Sequence, residues 1–282
     1  MLDGLEGLNQ DFVCEIPCDF HGWMTKPKLL VPIRKKNSRG RRFKLKRTRK
    51  KDVSRQVNNL ASYSPAFREQ NWQRYCIKNT QRGPEVWEVK WSLFYRKLAG
   101  KHPEKMPSKQ HTLMVCRNVR TGEVKYFLSN RVVGRDRTTL RWMLRVAFGR
   151  WAVETCFRTA KQELGMDHFE VRGWRCVHRH WYVTQLSYLF CSRLRLKWDD
   201  APEAILTVEQ VRSVVNTWLR CGDLHPPDKR RRWKHEVEKL KYHQKRNETA
   251  RKSHNKTRKE IYYHLGIDID KIKTCVYEPE TQ

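Results

Sequence analysis

Between Arg34 and Lys51 the chain reads RKKNSRGRRFKLKRTRKK, cations throughout and no carboxylate. No fold can bury such a segment, because each unpaired charge taken out of water costs on the order of several kcal/mol. A second stretch, from Lys229 to Lys259, is polar, basic and helix-prone, with occasional Trp, Tyr and Leu. Any core must be built from the residues around these two runs. The first run reads as a solvated loop that contacts phosphate if nucleic acid is present, the second as a helical tail.

The chain has 282 residues, enough for one large domain or two smaller ones. Lys and Arg number 60 against 30 Asp and Glu, a net charge of +30, while 38% of residues are hydrophobic and 11 are Trp. The aromatic content excludes a wholly disordered basic chain, and the charge then calls for a polyanionic partner. Nucleic acid is the first choice. A membrane is not expected, since no run approaches the roughly 18 apolar residues of a spanning helix and MLDGLEGLNQ lacks a signal peptide's pattern. The nine cysteines are scattered, with Cys14 and Cys18 the closest and no C-x-x-C pair. That argues against a disulfide framework or zinc site and for a reducing, cytoplasmic setting.

Along the chain, LDGLEGLNQ reads as the end of a helix and Phe12–Pro17 as an apolar strand. A short helix is expected around VSRQVNNLAS, and EVWEVKWSLFYRK is aromatic and β-prone. HTLMVCRNVRTGEVKYFLSN predicts two strands joined at Arg120–Glu123. Helices follow: one starting near a capping Asp136, one over Arg175–Lys197 and one over Leu206–Arg220. The Trp residues at 142, 151, 174 and 181 are expected in the core.

One helical stretch, GRWAVETCFRTAKQELG from Gly149 to Gly165, sorts its side chains into two rows. Val153, Cys156, Phe157, Ala160 and Leu164 make the apolar stripe of a core-facing helix. Beside it Arg150, Glu154 and Lys161 fall within an arc of about 40°. From spacing alone, this is either a surface ion-pair network or a carboxylate held between two cations at an active site.

The signature Arg150-x3-Glu154-x6-Lys161 resembles the Tyr-x2-Arg-x3-Glu-x6-Lys motif of bacterial insertion-sequence transposases of the DDE superfamily. The run GRWAVETCFRTAKQELGMDHFEVRGWRCVHRHWYVTQLSYLF resembles that family's catalytic-Glu helix, its Leu-Gly-x-x-x-[YF]-x-x-Arg continuation and the His-Arg-His opening of the next helix. LDGLEGLNQDFVCEIPCDFHGW, GEVKYFLSN, LTVEQVR and YHQKRNETARKSHNKTRK are similar too, so the likeness covers nearly the whole chain.

The resemblance implies an α/β, RNase H-like transposase core, N-terminally incomplete, with an inserted mostly-β subdomain and a basic helical C-terminal tail. The expected division is core remnant 1–19, basic mostly-β insertion 20–108, core with the catalytic-Glu helix 109–200, and basic helical region 201–282. It implies DNA cleavage and transfer by carboxylates holding Mg2+ or Mn2+. Glu154 matches the third carboxylate, both catalytic and metal-binding. Arg150 and Lys161 match DNA-phosphate contacts. From the basic runs, Arg39, Arg41, Arg42, Lys44, Lys46 and Arg47, together with Lys245, Arg246, Arg251 and Lys252, are the further DNA-binding candidates.

The chain departs from the family at two points. The motif's tyrosine falls on Ala147. The family's two Asp precede the segment that LDGLEGL resembles, and neither Asp3 nor Asp11 is placed to replace them. The expectation is a truncated DDE transposase, a homodimer on DNA, that binds DNA (element ends and target) but binds metal poorly and cleaves nothing alone. The alternative is an inactive transposase-derived DNA-binding protein. His178 and His180, about 200° apart on a helix, are expected to pack or hydrogen-bond, not to share a metal.

Overall fold

Alternating polar and apolar residues set the strands, and the faces they create set the layers. The computed structural model describes residues 2–30, 47–49, 51–80, 82–97, 109–135, 138–149, 151–198, 206–222 and 225–275. The fold is mixed α/β, and the chain separates into two compact units. The first comprises residues 1–149 and 259–282, the second 150–258.

The first unit opens with helix α1 (Leu2–Gly7) and strands β1 (Val13–Ile16) and β2 (His21–Trp23). A small ladder of β3 (Leu29–Leu30) and β4 (Arg47–Thr48) follows, then β5 (Arg55–Gln56) and helices α2 (Val57–Tyr63) and α3 (Pro65–Arg68). Four longer strands come next: β6 (Gln73–Thr80), β7 (Gly83–Arg96), β8 (His111–Asn118) and β9 (Val124–Ser129). Helix α4 (Leu140–Gly149) closes this part, and β10 (Lys273–Thr274) returns near the end of the chain. The sheet runs β1-β9-β8-β7-β2-β5, with β6 also on β7 and β10 parallel to β6.

β7 carries the sheet. One of its edges pairs with β8 from Trp87 to Phe94, while the other pairs with β6 from Gly83 to Val89 and with β2 at Tyr95 and Arg96. Its two faces are covered by different helices. Trp87 and Val89, with Met114, Cys116 and Phe127, pack under Leu140, Met143 and Leu144 of α4. Phe148 sits 4.8 Å from Trp87 and 5.2 Å from Phe127, ring to ring. On the opposite face Phe94, Leu113, Val115 and Leu128 meet Val57 and Leu60 of α2 and Phe67 of α3.

Two buried polar clusters fix what apolar packing leaves free. Fully buried His111 places Nε2 2.7 Å from Glu6 Oε1 and Nδ1 2.6 Å from the Lys109 carbonyl, while Arg96 Nη2 lies 3.3 Å from the same Glu6 oxygen. Burial lowers the His111 pKa below the ordinary imidazole value, against the opposing pull of Glu6. This cluster ties α1 to β7 and β8. At the chain's return, the buried Tyr262 hydroxyl accepts from the Val86 N–H at 3.0 Å and lies 3.4 Å from the Pro84 carbonyl.

The second unit is helical: α5 (Trp151–Leu164), α6 (Trp174–Trp198), α7 (Val208–Arg220) and α8 (Pro226–His264) up to Arg258. Its buried cluster is Cys191 of α6 with Val208 and Val211 of α7. Thr207 and Gln210 form a reciprocal capping box that starts α7, two hydrogen bonds read from T-x-x-Q. Arg212 pairs with Glu163 at 3.1 Å, and the Ser213 hydroxyl donates to buried Glu236.

Several expectations change. The segment expected as the Glu154 helix comprises α4, Leu140–Gly149, and α5, Trp151–Leu164; Arg150 between them lies outside the described residues. Asp136, its expected cap, lies outside the described residues. The apolar stripe of α5 is half open: Ala160 is buried, but Val153 is 56% and Phe157 48% exposed. Trp174 is 72% exposed and Trp142 38%, so neither is core; Trp181 is half-buried, and the Trp151 side chain is outside the described residues. β1 of the expected core remnant pairs with β9 of the expected core, but β7 of the expected 20–108 insertion pairs with β8, so insertion and core share one continuous sheet.

Candidate functional site

Glu154 lies in the first turn of α5 and Lys161 in its last, and both are exposed. They share one strip, but seven residues separate them by about 10.5 Å along the axis, too far for an (i, i+4) pair. Arg150 lies outside the described residues, as do Arg39, Arg41, Arg42, Lys44 and Lys46; Arg47 is in β4, its side chain undescribed.

The segment after α5 locks that helix to α6. Gly165 takes φ +66°, where a side chain is strained, and a Cβ there would stand 3.1 Å from His168 Nδ1. Its carbonyl lies 2.8 Å from His180 Nε2, and Phe169 meets His180 and Trp181 edge-on at 5.9 and 6.3 Å. His178 instead joins an aromatic group with Trp174, Trp181 and Tyr182. The Leu-Gly-to-His-Arg-His stretch therefore acts as a brace that sets the bearing of the Glu154 helix.

The positions where the sequence departs from the transposase motif have structural occupations. Ala147, at the tyrosine position, packs half-buried with Phe148 against the α4 side of the sheet. Asp11 pairs with Arg131 at 2.8 Å. Among the described residues, no group of three or more His, Cys, Asp or Glu side chains could hold a metal ion. One exposed carboxylate does not fit a divalent-cation site, so no chemical step is assigned to such an ion.

The basic tail is more ordered than its composition suggests. Lys245 and Lys252 are exposed on α8 and seven residues apart, on one strip. Lys234, Lys241 and Lys256 are also exposed on that strip, which spans an arc of about 60° and about 33 Å of helix; Lys259, in the same arc, belongs to the first unit and pairs with Asp270 at 3.1 Å. Glu238 interrupts it. Arg246 and half-buried Arg251 project about 100° and 120° away, so α8 does not bring all four candidate residues of the tail to one face. Lys252 pairs with Glu248 four residues back, and that bond holds the Glu248 carboxyl below its ordinary pKa.

A second charged group is legible only in three dimensions. Strand register sets Arg74, Glu88 and Arg117 side by side across β6, β7 and β8. Arg74 Nε is 3.2 Å from Glu88 Oε1, and Arg117 Nη2 is 2.6 Å from Oε2. One step along, Trp72 carries Arg117 at 4.5 Å and Lys90 at 4.8 Å from its ring centre. Burial works against the Glu88 carboxylate, but hydrogen bonds and charge from Arg117 and Arg74 outweigh it and hold its pKa below the ordinary value. The sequence hint was Glu88 and Lys90 alternating with Trp87, Val89 and Trp91.

No protein-family model, curated protein or solved structure matches this chain. Among the described residues, no helix is long and apolar enough to cross a membrane.

Proposed function

We propose that this chain is a DNA-binding protein of the transposase kind. It grips phosphate backbones with the lysine strip of α8 and carries, in Glu154, one carboxylate of a DDE set. The observation that carries the binding half is the strip itself: five lysines on one face over about 33 Å, close to the ~34 Å of one B-DNA turn. A net charge of +30 adds a long-range field that draws a polyanion in. The transposition half rests on the segments that resemble insertion-sequence transposases, above all the Glu154 helix and its brace on α6.

Strand cleavage requires in-line attack on phosphorus while the leaving oxygen gains charge, and several carboxylates must converge there. Glu154 alone does not supply that set. The role left to the chain's own residues is to hold and orient DNA.

Purified chain is expected to prefer duplex DNA over structured RNA of equal length, and to leave supercoiled plasmid intact in magnesium or manganese. A preference for RNA would overturn the DNA reading. Metal-dependent nicking that disappears in Glu154→Gln would replace the binding role with active strand cleavage.

A further inference from the structure

We propose that the groove beside Trp72 in the first unit is a second nucleic-acid contact, which takes a backbone phosphate between Arg74 and Lys271. The inference rests on the DNA-binding reading and adds a site that neither α8 nor the Glu154 helix supplies. The groove has a volume of about 700 Å³, and Trp72, Arg74, Glu88, Ile267, Asp268 and Lys271 are among the residues that line it. That volume is within the roughly 300–1,000 Å³ of ligand-sized clefts.

The cations are pre-positioned by the sheet. Glu88 sits between two arginines one strand away on either side, so its buried carboxylate fixes both guanidinium groups without neutralising them. Arg117 spends Nε and Nη2 on one Glu88 oxygen, at 3.2 and 2.6 Å. Arg74 spends only Nε, and among the described residues its terminal nitrogens have no hydrogen-bond partner. A planar fork with donors to spare suits a phosphate oxygen pair.

Lys90 adds to the local excess of charge. Its ammonium donates to the Phe67 carbonyl at 2.6 Å and lies over Trp72. Burial, then the nearby Arg117 charge, push its pKa below the ordinary lysine value, opposed by Glu88. Across the groove Lys271 pairs with Asp268 at 3.2 Å through exposed side chains, a bond weak enough for an incoming phosphate to compete with. Three cations, Arg74, Lys271 and Lys273, line the groove against two carboxylates, Glu88 and Asp268, and Lys90 and Arg117 stand beside it on Trp72, so the charge balance favours an anion.

The test uses the full chain, a labelled DNA duplex and a salt titration, with Lys271→Ala and Arg74→Gln as separate variants. Each is expected to weaken binding roughly three- to tenfold near 0.1 M salt and to make the log–log salt slope shallower by about 0.9. Lys271→Ala touches only a surface pair, so it reads the site even where Arg74→Gln disturbs the sheet. Wild-type binding by Lys271→Ala, with wild-type chain still gripping DNA, would overturn the groove and leave the α8 reading standing. Absence of DNA binding by wild type would remove both. Displacement of DNA by nucleoside triphosphate, beyond what inorganic phosphate achieves at equal ionic strength and lost in Arg74→Gln, would overturn the backbone assignment in favour of a free nucleotide.

Discussion

Reversing the charge of Lys245 and Lys252 together, by K245E and K252E, is expected to cost roughly 100-fold or more in affinity for duplex DNA near 0.1 M salt. Each lysine that neutralises a phosphate contributes about 0.9 to the slope of log affinity against log salt, and this term vanishes towards 1 M. Two lost contacts therefore remove about 1.8 decades at 0.1 M, and the new carboxylates add repulsion. The control is equally charged: Arg246→Glu with Arg251→Glu makes the same change in net charge but off the strip, about 100° and 120° away. Its effect should be several-fold smaller. Binding measured by anisotropy checks this, and equal losses from the two pairs would mean that α8 contributes only diffuse charge.

The second large effect concerns stability. Glu88→Ala should destabilise the sheet unit by about 2 kcal/mol in urea at neutral pH. Removing one partner of a fully buried ion pair costs about 3 to 5 kcal/mol. Arg74 and Arg117 each keep 44% of their side chains exposed and can turn to water, which lowers the figure. Acid gives an independent reading. The folded pKa of Glu88 lies below its ordinary 4.5, so the unfolded chain takes up this proton first as pH falls. The stabilisation is then complete above about pH 4.5 and is lost as pH drops through the lower, folded value. Glu88→Gln should show a shallower acid limb than wild type. An unchanged limb would mean that the cluster contributes nothing to the linkage between protonation and folding.

The elements that sequence could reveal are those with local causes. The hairpin at 111–130 was legible because Arg120-Thr-Gly-Glu123 offers a turn glycine, and Gly122 does take φ +72° between β8 and β9. The helix expected over Arg175–Lys197 forms over Trp174–Trp198, a long run that neither Gly nor Pro interrupts. Exposure was less legible. Val153, Phe157 and Trp174 have apolar side chains at helical spacing, yet periodicity says which residues share a face and not what covers it.

The charged row of the sheet was hidden for a related reason. Arg74, Glu88 and Arg117 are far apart in sequence and meet only through the registers of β6 on β7 and β7 on β8. A shift of one residue in either pairing would turn the members to opposite faces. The lysine strip of α8 lay between these cases. Its charge was plain from composition, but composition grouped Lys245, Arg246, Arg251 and Lys252 together, and only the turn of the helix separates them.

The most direct measurement is the affinity of the full chain for a duplex across a range of salt, plotted as log against log. Five lysines on one face of α8, with a further contact from the Trp72 groove, should give a slope of about −4 to −5.5. A slope shallower than about −1 would contradict it, because a chain that engages DNA through one phosphate or none is not using the strip.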